Sequence, residues 1–185
     1  MAYIANQDRK LCFIDCETTG LTPGHNEAIE WAAILTEPDG VTVVKTFEAK
    51  VKPLHMDRFD AKAKEVNGYN EAEWANALPA KEVAAEMMMI CAGSILVGQN
   101  VKFDIGFLEA FLKEHNFKPA WHHHSVCTLA LAWPLVKQGA ISGLSLTHLC
   151  TWAGISQPPP HRAMTDAQCV KTVYVKLMEN YLPRS

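Results

Sequence analysis

The sequence predicts an α/β protein in which a five-stranded mixed sheet is flanked by helices. Three short apolar segments open the chain, and after them helical segments alternate with two further strand-like segments. This order of elements is typical of a sheet covered by helices. The chain has 185 residues, of which 49% are hydrophobic and 20% are charged. That length and balance favour one globular domain spanning residues 1–185.

The first three strands are predicted at residues 11–16, 28–35 and 41–47. The first segment is a short apolar run that ends in a polar turn, as a buried strand does. Asp39-Gly40 separates the second and third segments, and this dipeptide between two strand-like runs is a strong hairpin signal. We therefore expect the second and third strands to pair antiparallel.

Helices and strands alternate in the rest of the chain. Pro79 suits a first helical turn, and Gly93 closes the helix that follows it. Three prolines, at 158–160, predict a stiff connector before the last helix. The predicted helices cover 60–66, 71–77, 81–91, 103–115, 128–137, 145–153 and a last segment ending near residue 181, and the predicted strands cover 94–98 and 121–127.

Composition and charge exclude several classes of protein. No apolar run reaches the roughly 18 residues that a membrane helix needs, and no secretory signal opens the sequence. A net charge of −3 argues against nucleic-acid binding by bulk positive charge alone. Two bound divalent cations would reverse the sign of that charge. The six cysteines form no Cys-x-x-Cys pair, which favours reduced, structural thiols in a cytoplasmic protein.

Two carboxylates lie where a buried strand is predicted to end. Asp15 and Glu17 are two residues apart, and such residues point to the same face of a strand. Adjacent carboxylates repel each other and lose hydration, so a strand avoids them unless a cation lies between them. Magnesium and similar hard ions prefer such oxygen ligands. The alternative for this pair is a polar strand end that faces solvent.

A third carboxylate, Asp104, lines up with the apolar stripe of a predicted helix. Asp104, Leu108 and Phe111 follow the i, i+4, i+7 spacing. Asp104 also lies in the first turn of that helix, where the helix dipole favours an anion. The alternative is that Asp104 only interacts favourably with the dipole of its helix.

The last candidate segment contains His161 and Asp166. Five residues correspond to about 140° around a regular helix, so the two side chains would diverge if both were helical. If His161 instead lies in a loop or in the first turn, it can reach the site that Asp166 faces, and the preceding prolines favour such a loop. A surface loop is the alternative. Together the three segments offer four carboxylates and one imidazole, the set used in two-metal phosphodiester hydrolysis.

Three consecutive histidines, at 122–124, are predicted to form a polar strand edge or turn. Neighbouring residues on a strand point to opposite faces. Three adjacent imidazoles on a strand therefore could not all face one metal ion.

The three candidate segments resemble the motifs of the DEDDh exonuclease superfamily, the DnaQ-like or proofreading-type 3′→5′ exonucleases. Asp-x-Glu-Thr-Thr-Gly-Leu stands at 15–21, Asn-x-x-Phe-Asp-x-x-Phe-Leu at 100–108 and His-x-Ala-x-x-Asp-Ala at 161–167. They occur in the expected order across almost the whole chain. Two positions depart from the commoner pattern: Gln99 stands where relatives often have histidine, and Cys127 where many have aspartate.

The resemblance implies an RNase H-like fold and the removal of nucleoside monophosphates from a 3′ end. It also implies two divalent metal ions, Mg²⁺ or Mn²⁺, as cofactors. By carry-over, the metal ligands are Asp15, Glu17, Asp104 and Asp166, the general base is His161, and the residues near the substrate are Thr18, Leu21, Asn100 and Phe103.

The implied partner is nucleic acid with a free 3′ end. The Thr18-Thr19 form of the first motif favours DNA over RNA. An RNA-trimming exonuclease of the same fold, a non-catalytic nucleic-acid-binding module and a polymerase-associated proofreading subunit are the alternatives, and the intact set of catalytic residues disfavours the non-catalytic module. The candidate protein partners are a polymerase, a repair protein or a second copy of the chain. No membrane partner is expected.

Overall fold

A five-stranded mixed sheet is the frame of the computed structural model, which describes residues 4–156 and 161–182. In chain order its strands are β1 (Leu11–Thr18), β2 (Ala28–Thr36), β3 (Val43–Lys50), β4 (Ile95–Gly98) and β5 (Ser125–Cys127). Their order across the sheet is β3-β2-β1-β4-β5. β2 pairs antiparallel with β1 and β3, whereas β4 runs parallel to β1 and to β5. The predicted five-stranded mixed sheet is confirmed.

Helices cover both faces of this sheet. In the described residues they are α1 (Ala61–Asn67), α2 (Ala80–Cys91), α3 (Lys102–Glu114), α4 (Thr128–Leu131), α5 (Trp133–Lys137), α6 (Leu146–Ala153) and α7 (Ala163–Tyr181), with short 3-10 helices at Asn6–Asp8 and Met56–Arg58. None of the helices in the described parts of the chain is long and apolar enough to cross a membrane.

The central strand β1 sends its side chains alternately into two core layers. Phe13 packs on the face covered by α7, whereas Cys12 and Ile14 pack on the opposite face, against α2 and α3. All three side chains are fully buried. Because side chains alternate along a strand, Asp15 and Glu17 share the α7 face with Phe13.

Gln99 joins the end of β4 to two other segments. Its side-chain amide donates to the carbonyl of Leu144 over 2.6 Å, and the Thr128 hydroxyl donates to Gln99 Oε1 over 2.6 Å. The buried Thr128 therefore links the start of α4 to the loop that leads into α3. This structural role accounts for a glutamine at this position.

Residues 71–77, predicted as a helix, form a series of turns. The side chain of Asn70 accepts a hydrogen bond from the backbone N–H of Glu73 over 2.9 Å, and such local bonds compete with helix formation. The buried Trp74 indole donates to the carbonyl of Ile29 over 2.9 Å. Tertiary contacts therefore override the helical pattern here.

Three other predicted boundaries change. The third strand begins at Val43 rather than 41, because the Asp39 carboxylate accepts hydrogen bonds from the backbone N–H groups of Val41 and Thr42 and extends the turn. The fifth strand is limited to β5, so residues 121–124 are not part of it. The helix predicted at 128–137 is divided into α4 and α5.

The break between α4 and α5 falls where Pro134 follows Trp133. Proline lacks the N–H that a continuous helix would need at this position. All six cysteines are free, and five of them are buried, so the prediction of unpaired thiols is confirmed. The predicted proline connector at 158–160 lies outside the described residues.

Candidate active site

The first part of the site is the end of β1. Asp15 is half-buried and Glu17 is buried, both on the face of the sheet that α7 covers. Glu17 lies opposite Glu30 in the β1–β2 register, and that register shifts between Glu17 and Thr18. The two predicted carboxylates are therefore inward-facing, and the alternative of a solvent-facing strand end is wrong.

Asp104 approaches the same strand from α3. It lies in the first turn of that helix, is 3% exposed, and accepts a hydrogen bond from the backbone N–H of Cys16 over 3.1 Å. The β1–β4 pairing ends at Phe13 and Val97, so the carboxylate of Asp104 satisfies a strand N–H that β4 does not reach. This bond fixes Asp104 beside the outer end of β1.

His161 and Asp166 come from the start of α7. His161 precedes the helix and has a left-handed backbone, with φ of 64°. This conformation lets the chain turn so that ligand atoms of Glu17, His161 and Asp166 lie within 4.8 Å of one another. Burial raises the pKa of Asp166, and the neighbouring His161 partly offsets that rise. His161 therefore lies before the helix, as the sequence analysis required if His161 and Asp166 were to face the same site.

We call Asp15, Glu17, Asp104 and Asp166 the carboxylate cluster. Burial raises the pKa of Asp15 well above its ordinary value, and the charges of Asp104 and Asp166 raise it further. Burial, with the neighbouring Asp166, raises the pKa of Glu17 to about 8. Burial raises the pKa of Asp104 to about 7. These groups resist ionisation because their charges are crowded and poorly hydrated.

The donor set of the cluster fits a hard divalent cation. Carboxylate oxygens are the ligands that Mg²⁺ and Mn²⁺ prefer. A cation at the cluster would remove both the repulsion and the desolvation cost that raise these pKa values. His161 is exposed at the edge of the cluster and adds an imidazole there.

A cavity of about 380 Å³ adjoins the cluster. Glu17, Thr18 and the exposed Leu21 line it together with residues of α1. Its other lining residues are Gly20, Asp60, Ala61, Lys62, Ala63, Val66 and Asn67. The volume lies within the range of small-molecule sites, and the mixture of apolar walls with a few polar groups is typical of them.

Asn100 and Phe103 lie in the turn and first helical residues that carry Asp104. Asn100 is exposed and has a positive φ of 57°, and its carbonyl accepts the N–H of Phe103 over 2.8 Å. The ring of Phe103 packs against Phe107, with centroids 4.8 Å apart. The structure thus groups both residues with Asp104 on one rigid turn.

Glu30 is a residue of the site that sequence reasoning missed. Its side chain is fully buried, and Oε1 accepts the N–H of Ala163, the first residue of α7, over 2.9 Å. Within the described parts of the chain, Oε2 has no hydrogen-bond partner. Glu30 therefore anchors the helix that carries Asp166. The sequence feature that indicates Glu30 is an acidic residue inside the apolar run of the second strand.

Arg162 was missed as well. Its guanidinium donates to the carbonyl of Asn67 over 2.7 Å and to Glu73 Oε2 over 2.9 Å. Asn67, which is buried, donates in turn to the carbonyl of Thr18 over 3.0 Å. Arg162 thus ties the backbone next to His161 to the end of β1. Nothing in the local sequence pattern reveals these long-range bonds.

Comparison with known proteins decides the family. The sequence profile described as "Exonuclease" matches residues 12–174. The chain belongs to the exonuclease family. This family consists of metal-dependent nucleases, and the carboxylate cluster lies within the matched residues.

Two relatives of this exonuclease chain are DNA polymerase III proteins. The PolC-type polymerase III of Thermotoga maritima is 29% identical over 172 residues, which make up 93% of this chain and 12% of the relative. The polymerase III epsilon subunit of Aquifex aeolicus is 27% identical over 172 residues, which make up 93% of this chain and 82% of the relative. The chain therefore spans a small part of the PolC-type relatives and most of the epsilon subunit.

Solved structures share the fold. E. coli Exonuclease I in complex with a dT13 oligonucleotide superposes with a TM-score of 0.79 at 20% identity, covering 92% of this chain and 41% of that one. Exonuclease I from Methylocaldum szegediense gives a TM-score of 0.78 at 19% identity, with 95% and 41% covered. The exonuclease chain thus has the RNase H-like fold that the resemblance implied.

Proposed function

We propose that this chain removes nucleoside 5′-monophosphates one at a time from the 3′ end of DNA. The observation that carries the proposal is the carboxylate cluster at the end of β1, with His161 at its edge and a cavity beside it. We take residues 1–185 as one exonuclease domain.

The carboxylate cluster is proposed to hold two divalent cations, Mg²⁺ or Mn²⁺. Besides burial, the charges of Asp104, Asp166 and Glu17 all raise the pKa of Asp15, so this carboxylate lies near the other three. It is therefore the best-placed ligand to contact both ions. The chemistry supplied by divalent cations at such a site is neutralisation of phosphate charge and a lowered pKa of the attacking water.

His161 is proposed as the general base. Its side chain is exposed, so water and a phosphodiester can reach it. A neutral imidazole has a ring-nitrogen lone pair that can accept a proton from water. The tether through Arg162 holds the backbone of this residue in place.

The cavity is proposed to accept the terminal nucleotide. Leu21, Thr18 and residues of α1 line space beside Glu17, and the apolar side chains there can pack against a base. Asn100 and Phe103 are proposed to contact the substrate from the turn that carries Asp104. A cavity that holds one residue next to the reacting phosphate favours cleavage at an end over internal cleavage.

DNA is proposed as the substrate because the relatives are DNA polymerase III proteins and one structural neighbour holds a dT13 oligonucleotide. Association with a polymerase is proposed on the same grounds. The alternative of RNA trimming is decided by the experiment below.

The test uses 5′-labelled single-stranded DNA, duplex DNA and RNA of one sequence, each with Mg²⁺ or Mn²⁺. A ladder of labelled products that shortens stepwise on DNA would support the proposal. Immediate release of the labelled 5′ nucleotide, or cleavage of a closed circle, would contradict 3′→5′ removal. Faster shortening of RNA than of DNA would assign the chain to the RNA-trimming alternative.

A further inference from the structure

The three consecutive histidines at 122–124 lie in a turn, not on a strand. β5 begins only at Ser125, so the alternation of side chains that would separate the three imidazoles does not apply. One ring nitrogen from each histidine lies within 4.8 Å of the others. The ring centroids are 4.0 to 4.9 Å apart. Of the predicted strand edge or turn, the structure has the turn, so the argument from strand geometry against a shared ion does not apply here.

The turn is held in place on both sides. The backbone N–H of His122 donates to the carbonyl of Ser94 over 2.8 Å, and Ser125 is paired with Leu96 in the sheet. Within the turn, the N–H of His124 donates to Nδ1 of His122 over 3.2 Å. A backbone fixed in this way loses little freedom when its side chains bind a common ligand.

We propose that His122, His123 and His124 form a second metal site, for a divalent transition cation of the zinc, nickel or copper class. Imidazole nitrogens suit these ions, whereas Mg²⁺ and Ca²⁺ prefer oxygen. At a Zn–N distance of about 2.1 Å, nitrogens in a tetrahedral site lie about 3.4 Å apart. The three nitrogens, which lie within 4.8 Å of one another, must therefore close by at most about 1.4 Å, which rotation of the exposed His123 and His124 side chains can supply.

This histidine triad is separate from the carboxylate cluster. It is bonded to Ser94, next to Ile95, and Ile95 pairs with Leu11 at the start of β1. Glu17 lies six residues further along β1, which corresponds to about 20 Å at the rise of a strand. The triad and the cluster thus lie at opposite ends of the sheet, and the two sites also differ in donor atoms. Three protein ligands would leave a coordination position of the ion open to solvent or to another molecule.

The first test is calorimetric titration of the full chain with Zn²⁺ in excess Mg²⁺, which competes for the oxygen ligands of the carboxylate cluster, and Zn²⁺ bound at the triad is identified by comparison with the variant. We expect about one equivalent of Zn²⁺ to bind. The His123→Ala/His124→Ala variant should bind it at least about tenfold more weakly. The matched control is His25→Ala/His148→Ala, which removes two exposed histidines elsewhere and should bind like the parent.

The second test is electron paramagnetic resonance with one equivalent of Cu²⁺, again in excess Mg²⁺. The parent and the control should show hyperfine coupling to several imidazole nitrogens, and the His123→Ala/His124→Ala variant should lose it. Unchanged Zn²⁺ affinity in that variant, or no Zn²⁺ binding by the parent, would overturn the proposal. Mg²⁺-dependent nuclease activity should persist in the variant, so a failure of the histidine site would not count against the proposed nuclease function.

Discussion

Replacement of Glu17 by Gln should stabilise the metal-free protein above neutral pH. Glu17 is 8% exposed, and burial with the charges of Asp166 and Glu30 raises its pKa from 4.5 to about 8. The folded state therefore binds the proton of this carboxyl more tightly than the unfolded state does. The stability contributed by Glu17 is complete below about pH 4.5 and declines as the pH rises to 8.

The rise in the pKa of Glu17 from 4.5 to about 8 sets the size of the expected change in stability. At about 1.4 kcal/mol per pH unit, the ionised carboxylate destabilises the folded state by at most roughly 5 kcal/mol. Neighbouring carboxylates respond to the same change, so we expect Glu17→Gln to gain about 2–5 kcal/mol at pH 8.5. For a domain of this size that gain corresponds to a Tm increase of about 5–15 °C.

The assay is thermal unfolding followed by circular dichroism in EDTA, at pH 5 and at pH 8.5. The Glu17→Gln variant should gain most at the higher pH, whereas Glu109→Gln, which alters an exposed carboxylate of α3, should follow the parent. Added Mg²⁺ should raise the Tm of the parent more than that of Glu17→Gln, because ligands stabilise the state that binds them. A Glu17→Gln protein that is less stable than the parent in EDTA at pH 8.5, or a difference that does not depend on pH, would refute the reasoning.

Five other substitutions test the site. Asp15→Asn should weaken both Mg²⁺ binding, measured by calorimetry, and catalysis. His161→Ala should slow single-turnover cleavage by roughly 10²–10⁴-fold and keep Mg²⁺ binding. Equal loss of Mg²⁺ binding in both variants would exclude His161 as the general base. Arg162→Ala should lower kcat by roughly 10–10²-fold through misplacement of His161, with Arg162→Lys intermediate, and unchanged kcat in both would show that the tether is dispensable. Gly20→Ala places a Cβ against the side chains of Asn26 and Asp60 and should cost about 1–3 kcal/mol in urea unfolding; parental stability would contradict this close packing.

Local periodicity in the sequence predicted much of the fold correctly. The apolar runs and the Asp39-Gly40 turn predicted the first three strands because these elements are specified by neighbouring residues. The two-residue spacing of Asp15 and Glu17 predicted their common face for the same reason. Residues 71–77 were mispredicted because the Trp74 indole bonds to the distant β2 strand.

The supporting residues of the site could not be predicted from spacing. Glu30 bonds to Ala163, which lies 133 residues further along the chain, and Arg162 bonds to Asn67, 95 residues away. Such contacts depend on how strands and helices pack, which a local pattern does not encode. The strand predicted over 121–127 was too long at its start, so the spacing did not show that the three histidines lie outside β5; boundaries are the least predictable part of an element.

Metal dependence of DNA degradation tests the central claim most directly. The purified protein is stripped of metal with EDTA and mixed with 5′-labelled single-stranded DNA, and Mg²⁺ or Mn²⁺ is then added in excess over the chelator. We predict intact DNA in EDTA and stepwise shortening from the 3′ end once the cation is restored, because without cations the carboxylate cluster cannot bind a phosphate. Full activity in excess EDTA would contradict the account.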